Sequence, residues 1–139
     1  MGSQPTTPNA EHMKMSDLNE KGMKIRQEMF GADWVAKRHE DATDFTRPFV
    51  EMVNNFAFGE VWSREGLDRK TRSMITLAML VVLNRPYEMK IHIKGALSNG
   101  VTKEEMQEII LQGVLYGGFP AAFEAFRTFA EAFRELGVE

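Results

Sequence analysis

The sequence predicts an all-α protein. Three observations support this: apolar residues recur at helical spacing, helix-capping residues punctuate the chain, and no run alternates convincingly as a strand would. The chain has 139 residues, 43% of them hydrophobic, which suits one domain with a packed core. We expect that domain to span residues 14–139. Residues 1–13 have no hydrophobic period and end in a His-Met pair, so we expect a disordered or vector-derived segment there.

The first part of the chain is expected to form three helices. Ser16 caps the first, which ends at Gly31, and Asp33 caps a short second helix. A third helix is expected from around Pro48 to Gly59, because proline is tolerated in the first turn of a helix.

A turn-rich connection is expected over residues 58–67. It contains Trp62 among charged residues, and loops of that composition often carry function. Asp68 then opens a fourth helix over residues 69–83, whose C-terminal half is apolar nearly all round. We expect this helix to be central, and either buried on most sides or covered by a neighbouring subunit.

Three more helices complete a bundle of six to seven. The fifth is expected from Pro86 to Asn99, and Thr102 and Glu105 form a capping box for the sixth, which runs to about Tyr116. The last begins at the Phe-Pro pair 119–120. Its apolar stripe is Ala122, Phe126, Phe129, Phe133 and Leu136.

Composition and charge exclude several classes of function. The chain has no cysteine, which excludes disulfides, thiolate nucleophiles and Cys-ligated metals. Lys+Arg number 17 against 20 Asp+Glu, with the signs interleaved, so a nucleic-acid surface is not expected. No apolar run reaches the roughly 20 residues that span a bilayer. We therefore expect a cytoplasmic protein with neither nucleic acid nor membrane as a partner.

Glu88 and His92 are the residue pair that most suggests chemistry. They lie four apart on the fifth helix, so they share a face one turn apart. A carboxylate beside an imidazole orients the ring and favours its charged form, as in a general acid or base. The same spacing is common in solvated surface pairs, so spacing alone leaves both interpretations open. Two ligands without a third do not make a metal site, and we expect none.

Arginines form a second group of candidates. A small anionic substrate needs a forked cationic partner, and two or three arginines that converge on one pocket would indicate one. Four lie near helix starts or in turns beside aromatic residues: Arg47, Arg64, Arg72 and Arg85.

Several motifs follow one another in a recognisable order. They are Phe45-Thr-Arg-Pro-Phe49, Gly59-Glu-Val-Trp-Ser-Arg64, Gly66-Leu-Asp-Arg-Lys-Thr-Arg-Ser73, Glu88-x-x-x-His92 and Asn99-Gly-Val-Thr-x-Glu-Glu105. In this order and spacing, from about residue 25 to residue 133, the chain resembles the carboxymuconolactone decarboxylase family. The resemblance implies an AhpD-like helical fold.

The redox members of that fold carry Cys-x-x-Cys-x-x-x-His. Here Arg85 and Glu88 stand at the two cysteine positions, and Ser73 stands where the redox members keep a proton-relay glutamate. Thiol redox chemistry is therefore excluded by substitution as well as by composition.

The resemblance implies cofactor-free decarboxylation of 4-carboxymuconolactone, a small anionic lactone, to 3-oxoadipate enol-lactone in aromatic (protocatechuate, β-ketoadipate) catabolism. It also implies a homohexamer built as a trimer of dimers. We hypothesise that His92 is the hydrogen-bond donor or proton carrier, and Glu88 its orienting partner or proton shuttle. The expected substrate-binding residues are Arg64, Arg72, Trp62 and Arg47.

The C-terminal part departs from the family pattern. The segment Tyr116-Gly-Gly-Phe-Pro120-Ala-Ala is followed by Phe123, where the family tends to have asparagine. This change indicates a different substrate or a different subunit contact. Two alternatives follow: a related enzyme acting on another lactone or β-keto-acid-like substrate, and a catalytically silent helical oligomer. A pocket that holds Glu88, His92 and an arginine favours an enzyme, whereas full solvation of the pair favours the silent protein.

Overall fold

The computed structural model describes residues 14–139 and shows seven α-helices, one π-helix and no β-strand in that range. The all-α prediction is confirmed. The expectation for residues 1–13 lies outside the described residues. Within residues 14–139, no helix is both long and apolar enough to cross a bilayer. The elements are α1 Met15–Phe30, α2 Ala32–Glu40, α3 Arg47–Met52, the π-helix Val53–Trp62, α4 Arg69–Leu83, α5 Pro86–Ser98, α6 Lys103–Gly117 and α7 Phe119–Leu136.

The predicted caps of α4 and α6 are confirmed. Asp68 Oδ1 accepts a hydrogen bond from the Thr71 backbone N–H at 2.7 Å. Thr102 and Glu105 each accept a hydrogen bond from the other's backbone N–H, which completes the capping box. These caps fix where the two helices begin.

The predicted caps of α1 and α2 are wrong. Both helices begin two residues earlier than expected and have no side-chain cap, so Ser16 and Asp33 lie inside the first turns. Gly31, the predicted end of α1, is confirmed, and it has a φ of 95° that favours glycine. The same glycine precedes α2, which explains why no side chain caps that helix.

The connection predicted over residues 58–67 is wrong in its first half, because the chain continues as a π-helix to Trp62. Gly59, the predicted helix end, lies inside this element. A Cβ on Gly59 would lie 2.5 Å from the Leu18 carbonyl oxygen, and one on Gly22 would overlap the carbonyl of the residue at position 54. Gly59 is therefore a contact residue that lets α1 and the π-helix pack backbone against backbone.

Two apolar clusters hold the helices together. The larger joins α4, α5, α6 and α7 and includes Met89 and Ile93. The smaller joins α1 to the π-helix around Met29 and Phe58. Ile91 packs against the smaller cluster, so α5 lies between the two and presents a different face to each.

The predicted stripe on α7 is partly wrong. Ala122, Phe129 and Phe133 are buried, but Phe126 and Leu136 are 40% and 39% exposed. The buried face is built largely from small residues, which let α7 approach α5 and α6 closely. Those residues are Ala121, Ala122, Ala125, Thr128 and Ala132.

The prediction that α4 is buried on most sides is wrong for the isolated chain. Leu77 and Val81 are fully buried, whereas Met79 and Leu83 are 59% and 60% exposed. Only one side of this helix faces the larger cluster. Its covering by a neighbouring subunit stays a prediction.

Candidate active site

His92 lies on the side of α5 that faces α1 and the π-helix, in an aromatic environment. Its ring meets Phe30 edge-on with ring centres 5.6 Å apart, and it stacks on Trp62 at 6.3 Å with an interplanar angle of 18°. Phe58 stacks on Trp62 at 5.6 Å, and Phe30 contacts Trp34 at 5.3 Å. We call Phe30, Trp34, Phe58 and Trp62 the aromatic wall.

Backbone packing brings the aromatic wall to His92. Phe30 and Trp62 are the last residues of α1 and the π-helix, which pack backbone against backbone. Gly95 of α5 completes the fit, because a Cβ there would lie 2.6 Å from Phe30 Cε1. The absence of a side chain at Gly95 lets the Phe30 ring lie directly against α5.

Burial lowers the pKa of His92 to about 4, and the charge of Glu88 opposes this shift. The expectation that Glu88 would favour the charged ring is therefore outweighed by desolvation, and the imidazole is neutral at pH 7. Nδ1 is buried and has no hydrogen-bond partner. Because buried N–H groups without partners are rarer than buried acceptors without partners, this favours the tautomer with its proton on Nε2.

Glu88 lies one helical turn before His92, and its side chain is exposed. It affects the ring through its charge, and no hydrogen bond between the two side chains is found in residues 14–139. The orienting role predicted for Glu88 thus lacks a hydrogen bond, while the shuttle role stays a prediction. His92 itself is largely buried, so the fully solvated pair expected of a silent protein does not occur.

The arginines predicted to bind substrate form local backbone contacts. Arg72 Nη2 donates to the Arg64 carbonyl oxygen at 3.1 Å, which ties the connection after the π-helix to α4. Arg47 Nη2 donates to the Ala42 carbonyl oxygen at 3.0 Å, and the side chains of Arg47 and Arg64 are exposed. Trp62 contacts His92, but the described contacts do not join any of these arginines to it. Their substrate-binding roles stay predictions.

Two arginines that sequence analysis did not single out lie against the aromatic wall. The Arg26 guanidinium carbon lies 5.8 Å from the Phe58 ring centre and 6.0 Å from that of Trp34. Arg38 of α2 lies 4.2 Å from the Trp34 ring centre. A charged residue on the buried stripe of α1 is the signal that could have revealed Arg26. The apolar members of that stripe are Ile25, Met29 and Phe30.

A buried polar network fixes Arg26. Its Nη1 donates to Asn54 Oδ1 at 2.6 Å, and Asn54 Nδ2 lies 2.9 Å from His39 Nε2. Because the amide oxygen accepts from the guanidinium, the amide nitrogen is the atom of Asn54 that faces His39. His39 was expected on a solvated face because its neighbours are charged. That expectation is wrong, since its ring closes a network between α1, the π-helix and α2.

Two surface grooves lie away from His92. One of about 550 Å³ runs between α6 and α7, and one of about 410 Å³ runs between α4 and α6. Their linings include neither His92 nor any residue of the aromatic wall. The candidate active site is the surroundings of His92, because titratable and aromatic side chains converge there.

Comparison with known proteins places the chain among decarboxylases. The model of the carboxymuconolactone decarboxylase family matches residues 47–131. The chain is 42% identical over 117 residues to the 4-carboxymuconolactone decarboxylase of Acinetobacter baylyi, covering 84% of this chain and 87% of that protein. It is 37% identical over 123 residues to the nitrosuccinic acid decarboxylase npaB of Metarhizium robertsii, covering 88% and 84%.

The helical fold and these relatives define a helical carboxy-lyase. Within that class, the chain belongs to the carboxymuconolactone decarboxylase family, as its motifs predict. The family match includes Trp62, Glu88 and His92 but begins at residue 47. The first two helices, which carry Arg26 and Arg38, lie outside it.

The lowered pKa of His92 predicts a stability that depends on pH. As the pH falls, the unfolded chain binds a proton at His92 near pH 6.5, whereas the folded chain does so only near pH 4. The folded state therefore loses stability over this interval, by roughly 2 to 3 kcal/mol between pH 7.5 and 4.5. In urea unfolding, His92→Gln should lose less stability than the parent chain by about that amount. Equal losses in the two chains would contradict the burial of His92.

Proposed function

We propose that this enzyme decarboxylates 4-carboxymuconolactone to 3-oxoadipate enol-lactone without a cofactor, in the protocatechuate branch of aromatic catabolism in the cytoplasm. The observation that carries the proposal is His92, a neutral imidazole held between aromatic rings. Family membership and the 42% identity to a 4-carboxymuconolactone decarboxylase support the same substrate.

The substrate contains its own electron acceptor. The carbon that bears the leaving carboxylate is conjugated, through the ring double bond, with the lactone carbonyl. When the bond to the carboxylate breaks, CO2 leaves and the electron pair moves through the ring to the carbonyl oxygen, which gives an enolate. A proton then adds to the ring carbon beside the carbonyl, and the enol-lactone forms.

The proposed roles follow from this charge movement. His92 donates its N–H to the developing enolate oxygen, which stabilises charge that exists only in the transition state and intermediate. The aromatic wall, with Trp62 beside His92, excludes water and so disfavours the hydrated leaving carboxylate. Glu88, exposed one turn away, shuttles the proton that returns to carbon. Arg64, Arg72 and Arg47 remain candidates for binding the substrate's charge.

A second candidate substrate is favoured by the relative in Metarhizium robertsii. Nitrosuccinic acid and 4-carboxymuconolactone both contain a carboxylate-bearing carbon next to a CH2–COO− group. In both, that carbon is joined to an electron acceptor, either a nitro group or an unsaturated lactone. Loss of CO2 moves the electron pair onto oxygen in each case. The proposed substrate class is therefore a substituted succinate that is activated for decarboxylation.

The test is an ultraviolet turnover assay with enzymatically prepared 4-carboxymuconolactone, run beside one with nitrosuccinate, with CO2 measured in both. We expect consumption of the lactone with an equal amount of CO2 released. Release from nitrosuccinate alone would transfer the proposal to the second substrate. No release from either, with folded enzyme, would contradict both.

Self-association is supported by two separate apolar surfaces, because a trimer of dimers needs two different interfaces on each chain. The first surface follows α3 and the π-helix: Phe45, Phe49, Met52 and Phe56. The second follows α4, α6 and α7: Met79, Leu83, Leu115, Tyr116, Phe119 and Phe123. We propose that Phe123 is a subunit contact, and that light scattering will give about six times the chain mass of 15.9 kDa. A monomer would contradict this assembly.

A further inference from the structure

Arg26 and Arg38 bring two positive charges to the same ring, that of Trp34. The ion pairs found in residues 14–139 involve other residues, so neither guanidinium is neutralised by a carboxylate within that range. Arg26 is only 6% exposed, and its Nε has no hydrogen-bond partner. A buried charge without a counter-ion is costly, so a bound anion at this position would stabilise the folded chain.

The behaviour of Arg26 reflects this excess of positive charge. Burial lowers the pKa of Arg26, and the charge of Arg38 lowers it further. The hydrogen bond to Asn54 is made to a neutral amide, which orients the guanidinium but leaves its charge uncompensated. The two guanidinium groups beside Trp34 therefore favour a bound anion.

Arg38 is the member of the pair that a ligand can reach. Its side chain is half-buried and lies over Trp34, and its Nη2 lies 3.5 Å from the Tyr87 hydroxyl. Stacking on the indole holds the guanidinium in place while N–H groups remain for a bidentate contact with a carboxylate. Tyr87 belongs to the first turn of α5, so Arg38 lies beside the helix that carries His92.

Aromatic rings connect Arg38 to His92. The Arg38 guanidinium lies over Trp34, Trp34 contacts Phe30, and Phe30 contacts the His92 ring. A flat substrate on this surface would have its cationic partner at one end and the imidazole at the other.

We propose that Arg38 binds the carboxylate that the substrate keeps, while His92 acts on the part of the molecule that loses CO2. Arg26 supplies a second, buried positive charge beside Trp34. This role rests on the decarboxylation proposed above. Because the carboxylate that they bind takes no part in the loss of CO2, these arginines determine which acids this chain accepts rather than the reaction itself.

Steady-state kinetics of Arg38→Gln test the role. A carboxylate that does not react is bound equally in the ground state and the transition state, so its loss raises KM and spares kcat. We expect KM for 4-carboxymuconolactone to rise about tenfold while kcat changes by less than about threefold. Arg38→Lys keeps the charge without the fork and should give an intermediate KM. Arg127→Gln removes a surface arginine paired with Glu124 and is the matched control, with both constants unchanged.

A binding experiment separates this role from turnover. Muconolactone keeps the CH2–COO− group but lacks the carboxylate that leaves, and its methyl ester is the matched uncharged ligand. Quenching of Trp34 and Trp62 fluorescence reports binding of either ligand. We expect the parent chain to bind the acid about tenfold more tightly than the ester, and Arg38→Gln to bind both alike.

The outcomes distinguish the two proposals. If Arg38→Gln loses the preference for the acid while no substrate turns over, the role of Arg38 stands and the proposed function fails. If turnover occurs but Arg38→Gln leaves KM and the preference unchanged, the function stands and the role of Arg38 is overturned. A parent chain with no preference for the acid overturns it as well.

Discussion

Replacing His92 by alanine is expected to lower kcat for decarboxylation by about 100- to 10,000-fold. The variant loses the N–H that would donate a hydrogen bond to the developing enolate, in a site lined by aromatic rings. Because the imidazole is neutral at pH 7, it stabilises the charge that develops during the reaction rather than the binding of the anionic substrate. KM should therefore change much less than kcat. The measurement is steady-state turnover by ultraviolet absorbance.

Two further variants show whether the loss is specific to the imidazole. Lys90→Ala alters the same helix but removes only surface ion pairs to Glu131 and Glu135, so its turnover should match that of the parent chain. Glu88→Gln removes the charge beside His92 and should lower kcat less than His92→Ala does. Circular dichroism and thermal unfolding establish that each variant is folded. A folded His92→Ala enzyme with kcat close to that of the parent chain would remove His92 from the mechanism.

The helices that the sequence predicts best are those with local start signals. Asp68 and Thr102 bond backbone groups three residues away, so their caps are decided within one turn and can be seen in the sequence. No comparable local sequence signal marks the π-helix. Its extension to Trp62 depends on close packing against α1, and there Gly59 serves as a contact rather than as a helix end. Here tertiary packing outweighs the local preference of glycine for a helix end.

Some features of the candidate site can likewise be predicted from the sequence, whereas others depend on tertiary packing. Glu88 and His92 are visible from spacing alone, because four residues on a helix make one turn. The neutral state of His92 cannot be predicted from spacing, because it arises from burial against Phe30 and Trp62, which come from two other helices. Arg38 shows the same limit, since its charged neighbours in the sequence suggest a solvated face. Only the folded chain shows that its guanidinium lies over an indole ring.

Gly22→Ala is expected to have the largest effect on stability. In an exposed helix this change would stabilise the chain by about 1 kcal/mol, because alanine favours helix more than glycine does. Here the new Cβ would overlap the carbonyl oxygen of Asn54 and lie 3.0 Å from the backbone nitrogen of Gly59. These are backbone atoms of the π-helix and cannot move aside as a flexible side chain can. We expect a loss of about 3 kcal/mol or more in the free energy of unfolding.

Gly66→Ala is the matched control for this prediction, because a Cβ at Gly66 has no heavy atom within 4 Å and the residue lies in an exposed turn. Its free energy of unfolding should stay within about 0.5 kcal/mol of the parent value in urea titrations. A Gly22→Ala variant as stable as Gly66→Ala would contradict the close backbone contact between α1 and the π-helix. The position of the aromatic wall would then be in question too, since Phe30 and Trp62 end these two helices. The fraction of Gly22→Ala that folds should accordingly lose turnover as well, because Phe30 and Trp62 can no longer hold His92 between them.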